Sequence, residues 1–247
     1  MQFLTAQEHM TDGMGFSLFR GTHIAILLLI GICVCGCVVW YRNSQRKRQW
    51  QWCIVIVMLL LEGAKVAVLL ATGQFGMQYL PLDLCGLSIF FSLFYVWKPN
   101  AYLGELLYSL SLPGTVLALL FPNWNRLPLW NFFCMHSFLI HALLLLLPVL
   151  LLADGALQPH GKRLPFSFLV LAVCSVGVSW CNRQWGTNFF FLSKPSKGSP
   201  LVWFANWFGE SWYWIGFPVL IAVIWGILYG LPALSRFCFR KQRKKAT

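Results

Sequence analysis

Apolar residues run almost without interruption for about 20 positions at a time, and most of the charge falls in the breaks between the runs. A helix rises about 1.5 Å per residue, so a run of that length crosses a hydrocarbon core about 30 Å thick. About seven such runs can be marked, at residues 21–41, 52–72, 80–97, 102–121, 129–153, 164–183 and 212–234. The runs are continuous and do not alternate, so they satisfy their backbones in lipid as helices and not as barrel strands. The pattern predicts an all-α, polytopic membrane helical bundle. No fixed-period repeat or low-complexity linker divides it, so residues 1–247 read as a single integral membrane domain. The third run is the shortest and is expected to be tilted or partly re-entrant.

Composition agrees with the pattern. Hydrophobic residues make up 58% of the chain and charged residues 11%, with a mean hydropathy of +0.66; a soluble domain carries roughly 25% charge. The net charge of +12 is uneven. If the amino terminus is outside, the inner segments hold Arg42, Arg46, Lys47, Arg48, Lys98, Lys162, Arg163 and the basic run from Arg236 to Lys245. The outer segments hold only Arg20, Arg126, Lys194 and Lys197, with Arg183 at a boundary. Basic residues concentrate on the cytoplasmic side of membrane proteins. The expected arrangement is therefore a multi-pass plasma-membrane protein with an external amino terminus and a cytoplasmic carboxyl terminus. Its natural partners are membrane phospholipids, because basic residues near a membrane surface attract anionic head groups. No nucleic-acid binding is expected, since no aromatic and basic reading module is present. The first 20 residues include Glu8 and Asp12 and do not resemble a signal peptide, so the first span is expected to remain as an anchor.

Polar residues inside the spans are where function is sought, because a charge at the bilayer centre costs roughly 2.5–3.5 kcal/mol even on the gentler scales. In the third span Cys85, Ser88 and Ser92 share one helical side, while Asp83 points elsewhere near the helix start. Pro81 suits a first-turn position and would place Cys85 just inside a helix amino terminus, where the dipole favours thiolate. The fourth span aligns Glu105, Tyr108 and Ser109 ahead of a kink at Pro113-Gly114. In the fifth, Cys134, Ser137 and His141 form a stripe, with His136 about 140° away from His141. The sixth aligns Ser175, Ser179 and Asn182. Together these stripes could line a polar cavity, although serines at such spacing also serve as packing between membrane helices. Glu62 and Lys65, spaced i, i+3, read as a self-neutralising pair.

The nine cysteines form no CxxC pair. On a helix Cys35 points away from Cys33 and Cys37, so no metal site and no cofactor are expected. Neither HExxH nor GxSxG occurs, leaving zinc-protease and serine-elbow chemistry unsupported. The stretch from Asn182 to Trp214 is dense in aromatic residues among Gly, Asn, Pro and Lys, a composition suited to the head-group level. Within it Arg183, Thr187, Asn188 and Lys194 are candidate contacts to a phosphate or glycerol group at a lipid-entry portal.

The strings LPLDLC, LYSLSLPGTVLALLFPNW, FFCMHSFLIHALLLL and NRQWGTNFFFLSKPS, in that order over about residues 75–234, resemble the bacterial YwaF-like integral membrane family. Members of that family often carry LPLHLC, so Asp83 departs from the pattern while Cys85 and His136 match it. The family is distantly similar to a eukaryotic transmembrane acyltransferase with a cysteine active centre that moves fatty acyl chains between phospholipids. That resemblance implies a lipid acyltransferase in which Cys85 is the nucleophile and His136 the base, with His141 the next candidate. Asp83 or Glu105 would orient the imidazole, and Asn182 or Asn188 would hold the oxyanion. The competing expectations are a transporter or ligand-binding protein whose Asp83, Glu105 and histidines line a polar path, and a noncatalytic scaffold.

Overall fold

A computed structural model describes residues 2–11, 13–196 and 199–245, with side chains described as far as residue 230. Asp12 and Lys197, used above, lie outside the described residues, as do the side chains of the basic run from Arg236 to Lys245. Among the described residues no strand occurs, and the helices are α1 (Gly21–Asn43), α2 (Lys47–Ala71), α3 (Leu84–Trp97), α4 (Ala101–Leu106), α5 (Leu112–Leu120), α6 (Phe132–Ala153), α7 (Leu164–Trp185), α8 (Leu201–Phe208) and α9 (Gly216–Lys245). Six helices are long and apolar enough to cross a membrane, with α4 and α5 counting as one span, and α3 is a shorter apolar helix of 14 residues. The protein is a polytopic bundle, with the seven apolar runs becoming six full spans and one short one.

The exposed surface of the spans is apolar, carried by residues such as Leu28, Ile32, Leu60, Val173, Val176 and Trp180. That is the surface expected of helices whose solvent is lipid. Inside, α2, α3, α6 and the α4–α5 span pack together, with Tyr41, Val55, Met58, Val96, Leu107, Leu144 and Leu147 fully buried. α1 lies on α6, and α7 lies beside α4.

Between α4 and α5 the helix widens into a π-helical stretch, Leu107–Ser111. Pro113, at the start of α5, has no N–H to return to the Ser109 carbonyl, and that oxygen instead accepts the Trp225 Nε1–H at 2.9 Å. A missing donor inside a helix is a recognised cause of such a bulge. The kink expected at Pro113-Gly114 is thus a local change of helix type, stabilised from α9.

The amino-terminal segment folds over one end of the bundle. Asn131 caps α6 by accepting from Phe133 and Cys134 N–H at 2.8 and 3.3 Å, and its Nδ2 donates to the Gln2 and Thr5 carbonyls at 2.7 and 2.9 Å. Gln74, just beyond α2, accepts from Ala6 N–H at 2.8 Å and donates to Leu4 O at 2.9 Å. The Tyr79 hydroxyl donates to the Glu8 carboxylate, and burial together with that carboxylate pushes the Tyr79 phenol well above its ordinary range, so it stays a donor. His23 is structural: its buried ring accepts the Phe19 N–H at 3.0 Å through Nδ1 and donates from Nε2 to Leu119 O at 2.9 Å.

Candidate functional site

Successive spans run in opposite directions, so the starts of α3 and α6 and the ends of α2 and α7 lie at one end of the bundle. The sequence motifs meet there. α3 starts at Leu84, which places Pro81 in the turn before the helix and not in its first turn. Cys85 is nevertheless the second helical residue. Fourteen residues of helix reach only about 21 Å. That is shorter than a hydrocarbon core about 30 Å thick.

Asp83 occupies the cap position of α3 but makes no capping hydrogen bond with its side chain. Its Oδ1 accepts the Phe190 N–H at 3.2 Å, joining the LPLDLC turn to the loop after α7. The first helical hydrogen bond runs from Leu87 N–H to Asp83 O at 2.9 Å. Among the described residues neither a side chain nor a carbonyl takes the Leu84, Cys85 or Gly86 N–H. Gly86 is required for close approach: a Cβ there would fall 2.6 Å from the Pro81 carbonyl.

The loop facing Asp83 is strongly constrained. Phe190 and Phe191 both have left-handed backbones, with φ of 58° and 56°. Each such residue costs on the order of 1–3 kcal/mol unless its surroundings enforce it. The enforcement is visible. Asn182 Oδ1 accepts from the Thr187 hydroxyl at 2.8 Å and Phe189 N–H at 2.9 Å, and its Nδ2 donates to Phe189 O at 3.0 Å. Tyr213 donates its hydroxyl to Phe191 O. Asn188 accepts from Ser193 and Lys194 N–H, both at 2.9 Å, and donates to Lys194 O at 2.9 Å. Asn182, Thr187 and Asn188 are thus occupied in shaping the loop, and their expected oxyanion and phosphate contacts compete with these bonds. Arg183 and Lys194 stay exposed.

His136, in the second turn of α6, is 6% exposed, and its Nε2 has no hydrogen-bond partner among the described residues. The group it faces is Glu62, whose Oε2 lies 3.8 Å from Nε2 and whose Oε1 pairs with Lys65. No hydrogen bond therefore joins that nitrogen to Cys85. His141 is held differently: its Nδ1 lies 2.6 Å from Ser137 O and its ring stacks on Trp124 at 4.8 Å. A carbonyl only accepts, so Nδ1 carries the proton and Nε2 the lone pair. Lys65 and Glu62 also lie within electrostatic reach of Asp83, as Asp83 does of Cys85.

Glu105 is elsewhere. It sits in the first turns of α4, just after the far end of α3, so the length of the short helix separates it from Cys85 and it cannot orient an imidazole there. Its fully buried carboxylate accepts from the Tyr229 hydroxyl through Oε1, and through Oε2 from His160 N–H at 3.0 Å and Arg163 Nη1 at 3.3 Å. Three of the stripe serines turn their hydroxyls onto their own helices. Ser88, Ser92 and Ser109 donate back to the carbonyls of Leu84, Ser88 and Glu105 at 2.7, 2.8 and 2.7 Å. The residue that spacing alone undervalued is Glu62: its i, i+3 pairing with Lys65 is real, but its second oxygen faces another helix.

The fold and this gathering of charged and nucleophilic side chains at one end define an all-helical, multi-pass membrane protein. The TMEM164 family model matches residues 18–229, and the chain belongs to the TMEM164 family. No curated protein and no solved structure matches it.

Proposed function

We propose that this protein is a membrane-embedded acyltransferase that moves a fatty acyl chain between phospholipids through a thioester on Cys85. The observation that carries the reading is the start of α3: a thiol in the first helical turn of a short apolar helix, beside N–H groups that Asp83 leaves uncapped. Free backbone N–H groups can bind the oxyanion of a tetrahedral intermediate. The resemblance of LPLDLC and FFCMHSFLIHALLLL to a family distantly similar to a cysteine-centred phospholipid acyltransferase supports the same chemistry.

In this reading His136 takes the Cys85 proton and the thiolate attacks the ester carbonyl of a donor phospholipid. The tetrahedral oxyanion rests on the N–H groups at the α3 start. Its collapse breaks the ester C–O bond, and the imidazolium returns the proton to the departing lysolipid oxygen. An acceptor lysolipid hydroxyl then gives its proton to His136 and attacks the thioester, releasing the new phospholipid and restoring the thiol. Exposed Arg183 and Lys194 suit the head-group phosphate.

The test is purified protein in lipid with a labelled phospholipid donor and a lysolipid acceptor. Acyl transfer and a hydroxylamine-sensitive label on Cys85 are expected in the wild type and absent in Cys85→Ser. Full transfer in Cys85→Ser, or none in the wild type across donor classes, overturns the reading.

A further inference from the structure

Glu62 and Lys65 lie on α2, facing a histidine on α6. Nε2 of His136 is buried and unpartnered, and at 3.8 Å from Glu62 Oε2 it is beyond hydrogen-bond length but within ion-pair reach. The charged group that Nε2 faces is the Glu62 carboxylate, through Oε2. A proton on Nε2 would face that carboxylate and leave the lone pair on Nδ1, the arrangement by which a carboxylate orients a histidine base. The charged and titratable groups around the ring are Glu62 and Lys65 from α2 and His141 from α6, with Asp83 at the start of α3 in reach of the α2 pair. Glu62, Lys65 and Asp83 together leave one negative charge when His136 is neutral. A proton on His136 balances it.

From this geometry we propose that Glu62 is the positioning residue of His136: it fixes the imidazole tautomer and stabilises the imidazolium that forms when His136 takes a proton, while Lys65 pairs with its other oxygen. This rests on the acyl-transfer reading and assigns the orienting role sought above for Asp83 or Glu105.

The test separates a pair that merely neutralises itself from one that acts on His136. In the double variant Glu62→Lys/Lys65→Glu the i, i+3 pair survives, but an ammonium faces Nε2. Alkylation of Cys85 by a haloacetamide probe is expected to slow by roughly tenfold, to the rate of His136→Ala, while Glu62→Asp stays within about threefold of wild type. Glu62→Gln/Lys65→Met, which removes both charges of the pair, provides the same readout if the reversed pair does not fold, and it too is expected to slow. Wild-type alkylation in a folded double variant overturns the proposal, as does normal thioester formation on Cys85. If the wild type forms no thioester while the variants still alkylate slowly, acyl transfer fails and the Glu62–His136 relationship stands.

Discussion

Asp83 Oδ1 accepts the backbone N–H of Phe190 at 3.2 Å, across 107 positions of chain. The cap residue of α3 thereby holds a loop built on two left-handed phenylalanines and leaves its own helix start open. Asp83→Ala is expected to cost about 1.5–3 kcal/mol, the usual loss for a charge-assisted hydrogen bond, and to loosen the loop. Asp83→Asn keeps an acceptor and is expected to lie close to wild type. Thermal unfolding in detergent, with limited proteolysis between residues 186 and 200, reads both effects. Equal destabilisation by the two substitutions would show that charge and not the hydrogen bond matters.

At the other end of the bundle, Glu105 joins α4 to Arg163 at the start of α7 and to Tyr229 on α9. Removing one partner of a buried pair strands the others, so Glu105→Ala is expected to cost about 2–4 kcal/mol, discounted because Arg163 is 29% exposed. Alkylation of folded protein at Cys85 should be unchanged. A loss of Cys85 reactivity with preserved stability would return Glu105 to the catalytic group.

The spans were legible because lipid demands long apolar helices, and the shortness of α3 was visible in the run itself. Its start was missed by three residues: Pro81 suits a first helical turn, but the chain turns before Asp83. The site was legible only in part. Cys85 stands out near a helix start, and Glu62 and Lys65 stand out as charges. The contact of Glu62 with His136, 74 positions later, depends on how α2 packs against α6, and helical spacing carries no record of it. Ser88, Ser92 and Ser109 look alike as donors on a wheel and differ from cavity-lining groups only through their rotamers, which point to their own backbones.

The π-helical stretch makes a non-additive prediction. Trp225→Phe leaves the Ser109 carbonyl without its donor and is expected to cost about 1–2 kcal/mol. Pro113→Ala restores an N–H that can return to that carbonyl, so the double variant should recover part of the loss. A double-mutant cycle by thermal unfolding measures the coupling. Strict additivity would mean that the Trp225 contact and the missing proline donor are unrelated.

Orientation remains to be tied to the site. The basic residues at Arg42–Arg48, Lys98 and Lys162–Arg163 lie at the end opposite Cys85, so the positive-inside bias predicts the Cys85 end at the outer leaflet. Replacing the nine cysteines and introducing single ones at Gln74, Asn125, Ser44, Asn100 and Gln158 gives a direct reading. An impermeant maleimide applied to intact cells is expected to label the first two and to reach the other three only after permeabilisation. The same experiment fixes which leaflet supplies the donor lipid, because Cys85 begins a helix too short to reach the labelled face. Labelling of Ser44→Cys or Gln158→Cys in intact cells would invert the protein and move the proposed chemistry to the cytoplasmic leaflet. Mixed labelling within one end would mean that the spans have been miscounted.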